Sequence, residues 1–167
     1  MYKKILVPLD GSNLAECSLE HVKAIATGCN VPEIVLLQVL HPIHSMQPIN
    51  YEGLYGQGYK DFSPDFLTKS WAQWEGEAKN YLSELSDRLK KENLSVETAL
   101  ITDEDTAGTI LDYAKDNGVD LIIMSSHGRS GLSRWLMGSV AEKVVRNSRV
   151  PVLMVSSPAC LGSRQSS

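Results

Sequence analysis

Two spacings of apolar residues alternate along this chain. Ile5-Leu6-Val7-Pro8-Leu9 is a short run without a polar break, stopped by the turn-forming Asp10-Gly11-Ser12-Asn13. Such a run fits a strand buried on both faces of a parallel sheet. Ile34 to Leu40 and, apart from Asp120, Val119 to Met124 have the same character; Val96 to Ile101 alternates as a strand does, and Val150 to Val155 closes the series. Between these runs the period lengthens to that of helices. Ala15, Leu19, Val22 and Ala26 share one helical face, opened by a capping box of Asn13 and Glu16 and stopped at Gly28. Trp71, Trp74, Ala78, Leu82, Leu85 and Leu89 mark a long amphipathic helix whose stripe is expected to be core. Ala107, Ile110, Leu111 and Ala114 mark a short helix ending near Asn117-Gly118, and Val140, Ala141, Val144 and Val145 mark the last.

The resulting order, β-α-β-α-β-α-β-α-β, predicts an α/β fold. It is a single Rossmann-like domain with a five-stranded parallel sheet, helices on both faces and right-handed crossovers. The strand order expected of such a fold is 3-2-1-4-5. Sheets of this kind bind ligands at the carboxyl ends of their strands, where the order reverses. Pro8-Leu9-Asp10, Val39 and the segment from Ser125 to Ser139 lie at those ends. His41 to about Pro64 has no period, and a loop that long is usually functional or mobile. The domain is expected to span residues 1–156, with a disordered Ser-rich tail over 157–167.

Composition narrows the function classes. The 167 residues are 43% hydrophobic, enough for one domain with a core. Sixteen basic and 20 acidic residues give a formal net charge of -4, with no global attraction to nucleic acid or an anionic membrane. Cys17, Cys29 and Cys160 cannot all pair within one chain and lack metal-ligand spacing, so they read as free thiols. No apolar run spans a bilayer and the first residues do not resemble a signal peptide, so a cytoplasmic location is expected.

The chemistry concentrates in Ser125-Ser126-His127-Gly128, nine further residues, then Gly138-Ser139. This segment joins a buried strand to a helix start, where free N–H groups and the helix dipole favour an anion. Arg129 and Arg134 add positive charge, which fits a polyphosphate. The plainer alternative is a long glycine-bearing turn with Ser139 as helix cap. Asp10 likewise fits ordinary turn chemistry. His41 and His44 lack a third ligand with useful spacing. The chain has neither a Gly-x-Ser-x-Gly elbow nor a Gly-Lys-[Ser/Thr] phosphate loop.

These segments resemble the universal stress protein family, which carries G-x-x-G, nine residues, G-[S/T] after its fourth strand. Met124 to Gly131, Gly138-Ser139, the opening Ile5 to Ser12, Asp116 to Ile122 and Val150-Pro151-Val152-Leu153 match its pattern in order. The resemblance implies an ATP-binding protein, with adenine near Pro8, Val39 and Met124 and with Leu9 beside them. It sets Asp10 toward the ribose or, indirectly, toward an ATP-bound Mg ion. Ser125, Gly128, Arg129, Gly138, Ser139 and Val140 would hold the triphosphate. Ser125 stands at the motif's first glycine; were the backbone left-handed there, serine would cost about 1–2 kcal/mol. The resemblance also implies a homodimer through strand 150–155. It implies a nucleotide-dependent regulatory module in stress response. A slow Mg-dependent ATPase or phosphotransferase and a protein-interaction module without nucleotide stay open beside it.

Overall fold

The computed structural model describes residues 2–42, 64–126 and 137–156. Its elements are β1 (Lys4–Leu9), α1 (Asn13–Glu16), α2 (Ser18–Cys29), β2 (Glu33–Leu40) and α3 (Pro64–Lys90), followed by β3 (Val96–Thr102), α4 (Thr106–Asp116), β4 (Leu121–Ser125), α5 (Ser139–Asn147) and β5 (Val152–Val155). The strands form one parallel sheet, as the alternation of elements predicts, in the order β3-β2-β1-β4-β5 expected of a fold of this type. The order reverses between β1 and β4, both of which begin next to the same carboxylate. Asp120 accepts hydrogen bonds from the backbone N–H groups of Lys3 (2.8 Å) and Lys4 (3.1 Å), and its own N–H donates to the Lys4 carbonyl. The one acidic residue in an apolar run thus closes the amino end of the sheet.

Strand alternation divides the core into two layers. Ile5, Val7 and Leu9 of β1, with Ile34 and Leu36 of β2, pack with α2 and with Leu82, Leu85 and Leu89 of α3. Leu6, Val35 and Leu37 point the other way, onto Ala107, Ile110 and Ala114 of α4 and Ala141 and Val144 of α5. Burial on both faces is what the unbroken apolar runs require, since neither side of a strand meets water.

Several local boundaries differ from the sequence expectation. The first helix is capped by Ser12, not Asn13. Ser12 Oγ accepts from the Ala15 N–H at 3.2 Å, and the Ser12 carbonyl accepts from Ala15 and Glu16. A hydroxyl one residue earlier reaches the orphan donors better, because Gly11 at φ 80° swings the chain into the turn. At Cys17 the helix divides, where the Ser18 hydroxyl donates back to the Ala15 carbonyl at 2.7 Å. Gly28 does not stop α2; Asn30 does, in the left-handed conformation (φ 50°, ψ 53°). The Val31 N–H then returns to the Ala26 carbonyl and its side chain enters the core, the arrangement of a left-handed helix stop. Pro151 lies before β5, not inside it.

Candidate nucleotide cleft

A cleft of about 820 Å³ opens at the carboxyl ends of β1, β2 and β4. Pro8, Leu9 and Asp10 reach it from β1 and its turn, Val39 from β2, Met124 and Ser125 from β4, and Gly138, Ser139 and Val140 from the start of α5. Residues more than a hundred positions apart converge because β1 and β4 are neighbours at the switch point. Gly128 and Arg129, with His127, Arg134 and His44, lie outside the described residues.

The start of α5 is the polar end of the cleft. Gly138 precedes the helix in an extended conformation, φ -61° and ψ 150°. Its N–H is not free, as the sequence had implied, because it donates to the Ser126 carbonyl at 3.0 Å. The donors left without an intrahelical partner are those of Ser139, Val140 and Ala141, in the first turn, and the N-cap, being glycine, has no side chain to offer them. Ser139 is the first helical residue, not the cap. A Cβ on Gly138 would meet only the Ser126 carbonyl oxygen at 3.5 Å, so glycine here leaves the cleft side open without being required by the backbone.

Ser125 ends β4, and among the described residues the only non-glycine positions with positive φ are Asn30 and Asn93. The left-handed strain considered for serine at this position therefore does not arise. Beyond it, the Ser126 N–H donates to the Val155 carbonyl at 2.9 Å, so β5 steadies the same corner.

Asp10 is held by its own turn. Its Oδ1 accepts from the Ser12 N–H at 3.0 Å and from the Ser12 hydroxyl at 2.6 Å. Among the described residues no group of three or more His, Cys, Asp or Glu is placed to cage a metal. The described residues thus bring the carboxylates of Asp10 and Glu77 to the cleft without a cage of ligands around a metal. His41 pairs with the Thr106 hydroxyl across 3.2 Å.

The opposite wall comes from α3. Trp71, Trp74, Glu77, Ala78 and Tyr81 all line the cleft, and Trp74 is 40% exposed. The sequence expectation of a core stripe holds for Ala78, Leu82, Leu85 and Leu89 but fails for the two tryptophans. Helix length was the available signal. At about 1.5 Å per residue, the 27-residue helix is longer than any strand beside it, so its early turns pass beyond the sheet's carboxyl edge. Burial, then the negative charges of Glu16 and Asp10, push the Tyr81 phenol well above the ordinary tyrosine range. Its hydroxyl lies close to the Glu16 carboxylate, which helps hold its proton, but among the described residues it has no partner in good hydrogen-bond geometry; Glu16 itself pairs with Arg88 at 3.3 Å.

Comparison with known proteins gives a consistent result. The sequence profile of the universal stress protein family matches residues 1–156. Universal stress protein MJ0577 of Methanocaldococcus jannaschii is 38% identical over 163 residues, covering 93% of this chain and 95% of that one. The solved structure of hypothetical protein MJ0577 superposes with a TM-score of 0.73 at 34% identity, covering 93% of this chain and 96% of that one. A universal stress protein family protein from Arabidopsis thaliana, solved with AMP bound, shares the fold. Its TM-score is 0.62 at 15% identity, over 92% of this chain and 91% of that one.

Proposed function

The chain belongs to the universal stress protein family, and from that premise we propose that it binds ATP with its magnesium ion in the cleft and acts as a nucleotide-dependent regulatory module. One observation carries the reading: a helix start whose N-cap is glycine opens onto a cleft at the point where strand order reverses. The N–H groups of Ser139, Val140 and Ala141 and the Ser139 hydroxyl are suited to the phosphates. Pro8, Val39 and Met124 offer the base an apolar seat between strand ends. Asp10 would orient the ribose or the hydrated ion, and the ion would supply charge neutralisation on the phosphates. The AMP held by the Arabidopsis relative supports a nucleotide in this fold.

The two hydrogen bonds that Asp10 accepts from Ser12 favour holding a ligand over moving its protons. Binding without rapid turnover suits a module whose partners sense the bound state. The same reading includes a homodimer through the edge strand β5, whose Val152, Leu153 and Met154 are only half buried, and a cytoplasmic setting; among the described residues no helix is long and apolar enough to cross a membrane. Calorimetric titration of the full chain with Mg-ATP, together with mass spectrometry of small molecules released on denaturation, tests the reading. Micromolar binding of ATP supports it, and no heat with ATP, ADP or AMP would sink it.

A further inference from the structure

One flank of the cleft has chemistry that the phosphates do not use. Gln38 has the strand parity of Ile34 and Leu36, so its side chain faces α3, away from α5. It is 3% exposed, lines the cleft, and its Oε1 has no hydrogen-bond partner among the described residues. The Tyr81 hydroxyl, on the same flank, is buried beside the Glu16 carboxylate and, among the described residues, has no partner in good hydrogen-bond geometry. Trp71, Trp74 and Ala78 continue the wall along α3, at spacings of three and four that keep them on one face. Two orphaned polar atoms next to aromatic surface are costly unless a ligand satisfies them.

We propose that this flank is a second ligand compartment, shaped for a neutral planar molecule that carries a carboxamide or an equivalent N–H beside an acceptor. The N–H of such a ligand would donate to Gln38 Oε1, and its acceptor would receive the Tyr81 O–H. Burial and neighbouring acids keep that phenol protonated, so it serves as a donor. Its apolar faces would lie against the tryptophans. Anions are disfavoured there, because Glu77 and Asp10 line the cleft and Glu16 is close to Tyr81; Arg88, the cation among the described residues that acts on Tyr81, is already paired with Glu16. The cleft is thus polarised, with anion-binding donors at α5 and neutral, aromatic chemistry at α3.

Benzamide and benzoate make a matched pair of probes, since they differ in the carboxamide alone. Their binding to the full chain is measured by saturation-transfer NMR and by shifts of the indole N–H and Gln side-chain amide resonances, with and without saturating Mg-ATP. Benzamide should bind at least tenfold more tightly than benzoate, shift the Trp71 and Trp74 signals, and remain bound when Mg-ATP is present. Gln38→Leu, close in volume, should weaken benzamide at least tenfold, and Tyr81→Phe several-fold in case the first variant fails to fold. Equal binding of the two probes, unchanged affinity in both variants, or displacement of benzamide by Mg-ATP would overturn the compartment. A chain that binds benzamide but no nucleotide would leave the compartment standing and remove the nucleotide reading.

Discussion

The Gly138 N–H donates to the Ser126 carbonyl at 3.0 Å, fastening the start of α5 to the end of β4 at the polar corner of the cleft. Gly138→Pro removes this donor while keeping φ, since proline prefers about -65° and Gly138 has -61°. We expect a loss of about 1 kcal/mol in urea unfolding and several-fold weaker Mg-ATP binding by calorimetry. Gly138→Ala, whose Cβ would make only an ordinary contact, should stay within about 0.5 kcal/mol of the parent.

Ser139 tests the helix start by moving stability and binding in opposite directions. In Ser139→Asp a carboxylate sits at the positive end of α5, which should stabilise the fold by about 0.3–1 kcal/mol. The same charge would repel a phosphate, so Mg-ATP affinity should fall at least tenfold. A variant that melts higher and binds as before would exclude phosphate from this corner.

Asp10 separates turn from ligand. Asp10→Asn keeps an acceptor for Ser12 and should cost under about 1.5 kcal/mol, whereas Asp10→Ala loses both bonds and should cost about 1.5–3 kcal/mol. Denaturant unfolding ranks the two. In the proposed seat, Asp10→Asn should also reduce the magnesium dependence of ATP binding, measured by titration with and without the ion.

Tyr81 makes stability fall on the alkaline side. Its folded pKa is raised, so the folded chain holds a proton that the unfolded chain releases near the ordinary tyrosine value of about 10. Its contribution is therefore complete below about pH 10 and is lost as pH rises from there toward the folded value. Tyr81→Phe should lose less stability than the parent between pH 9 and 11 (roughly one unit either side of the tyrosine value). At neutral pH it should gain about 1 kcal/mol by removing an unpaired buried hydroxyl. Thermal melts across that range decide it.

The proposed dimer depends on backbone groups of β5. The Pro151 and Val155 carbonyls accept from Ile122 of β4 and from Ser126 just beyond it, so by alternation the N–H and C=O of Val152 and Met154 point outward. Both side chains already pack on the α4 and α5 layer, which makes charged replacements there a poor probe of assembly. Met154→Pro removes an outward donor and leaves the β4 ladder intact. It should sediment as a folded monomer, while Met154→Ala, losing similar packing but keeping its N–H, stays dimeric. A proline variant that remains a dimer places the interface elsewhere.

Sequence alone determined the sheet. Unbroken apolar runs such as Ile5 to Leu9 can be satisfied only by burial on both faces, and their alternation with helical stripes leaves a parallel sheet as the consistent answer. It also located the corner where Met124, Gly138 and Asp10 meet, because the carboxyl ends at a switch point follow from strand order. Which backbone groups are spent and which are left over was decided by tertiary structure. The Gly138 N–H is taken by Ser126, Ser12 displaces Asn13 as cap, and Asn30 displaces Gly28 as helix stop, each through a single hydrogen bond or dihedral that spacing does not encode. Trp71 and Trp74 keep the period of a core stripe yet line a cleft, because a periodic pattern gives the face of a helix and not where its neighbours end. Gln38 is the sharpest case: one polar residue in an apolar strand, whose side chain only the fold could show to be buried, turned toward α3 and, among the described residues, without a partner for its Oε1.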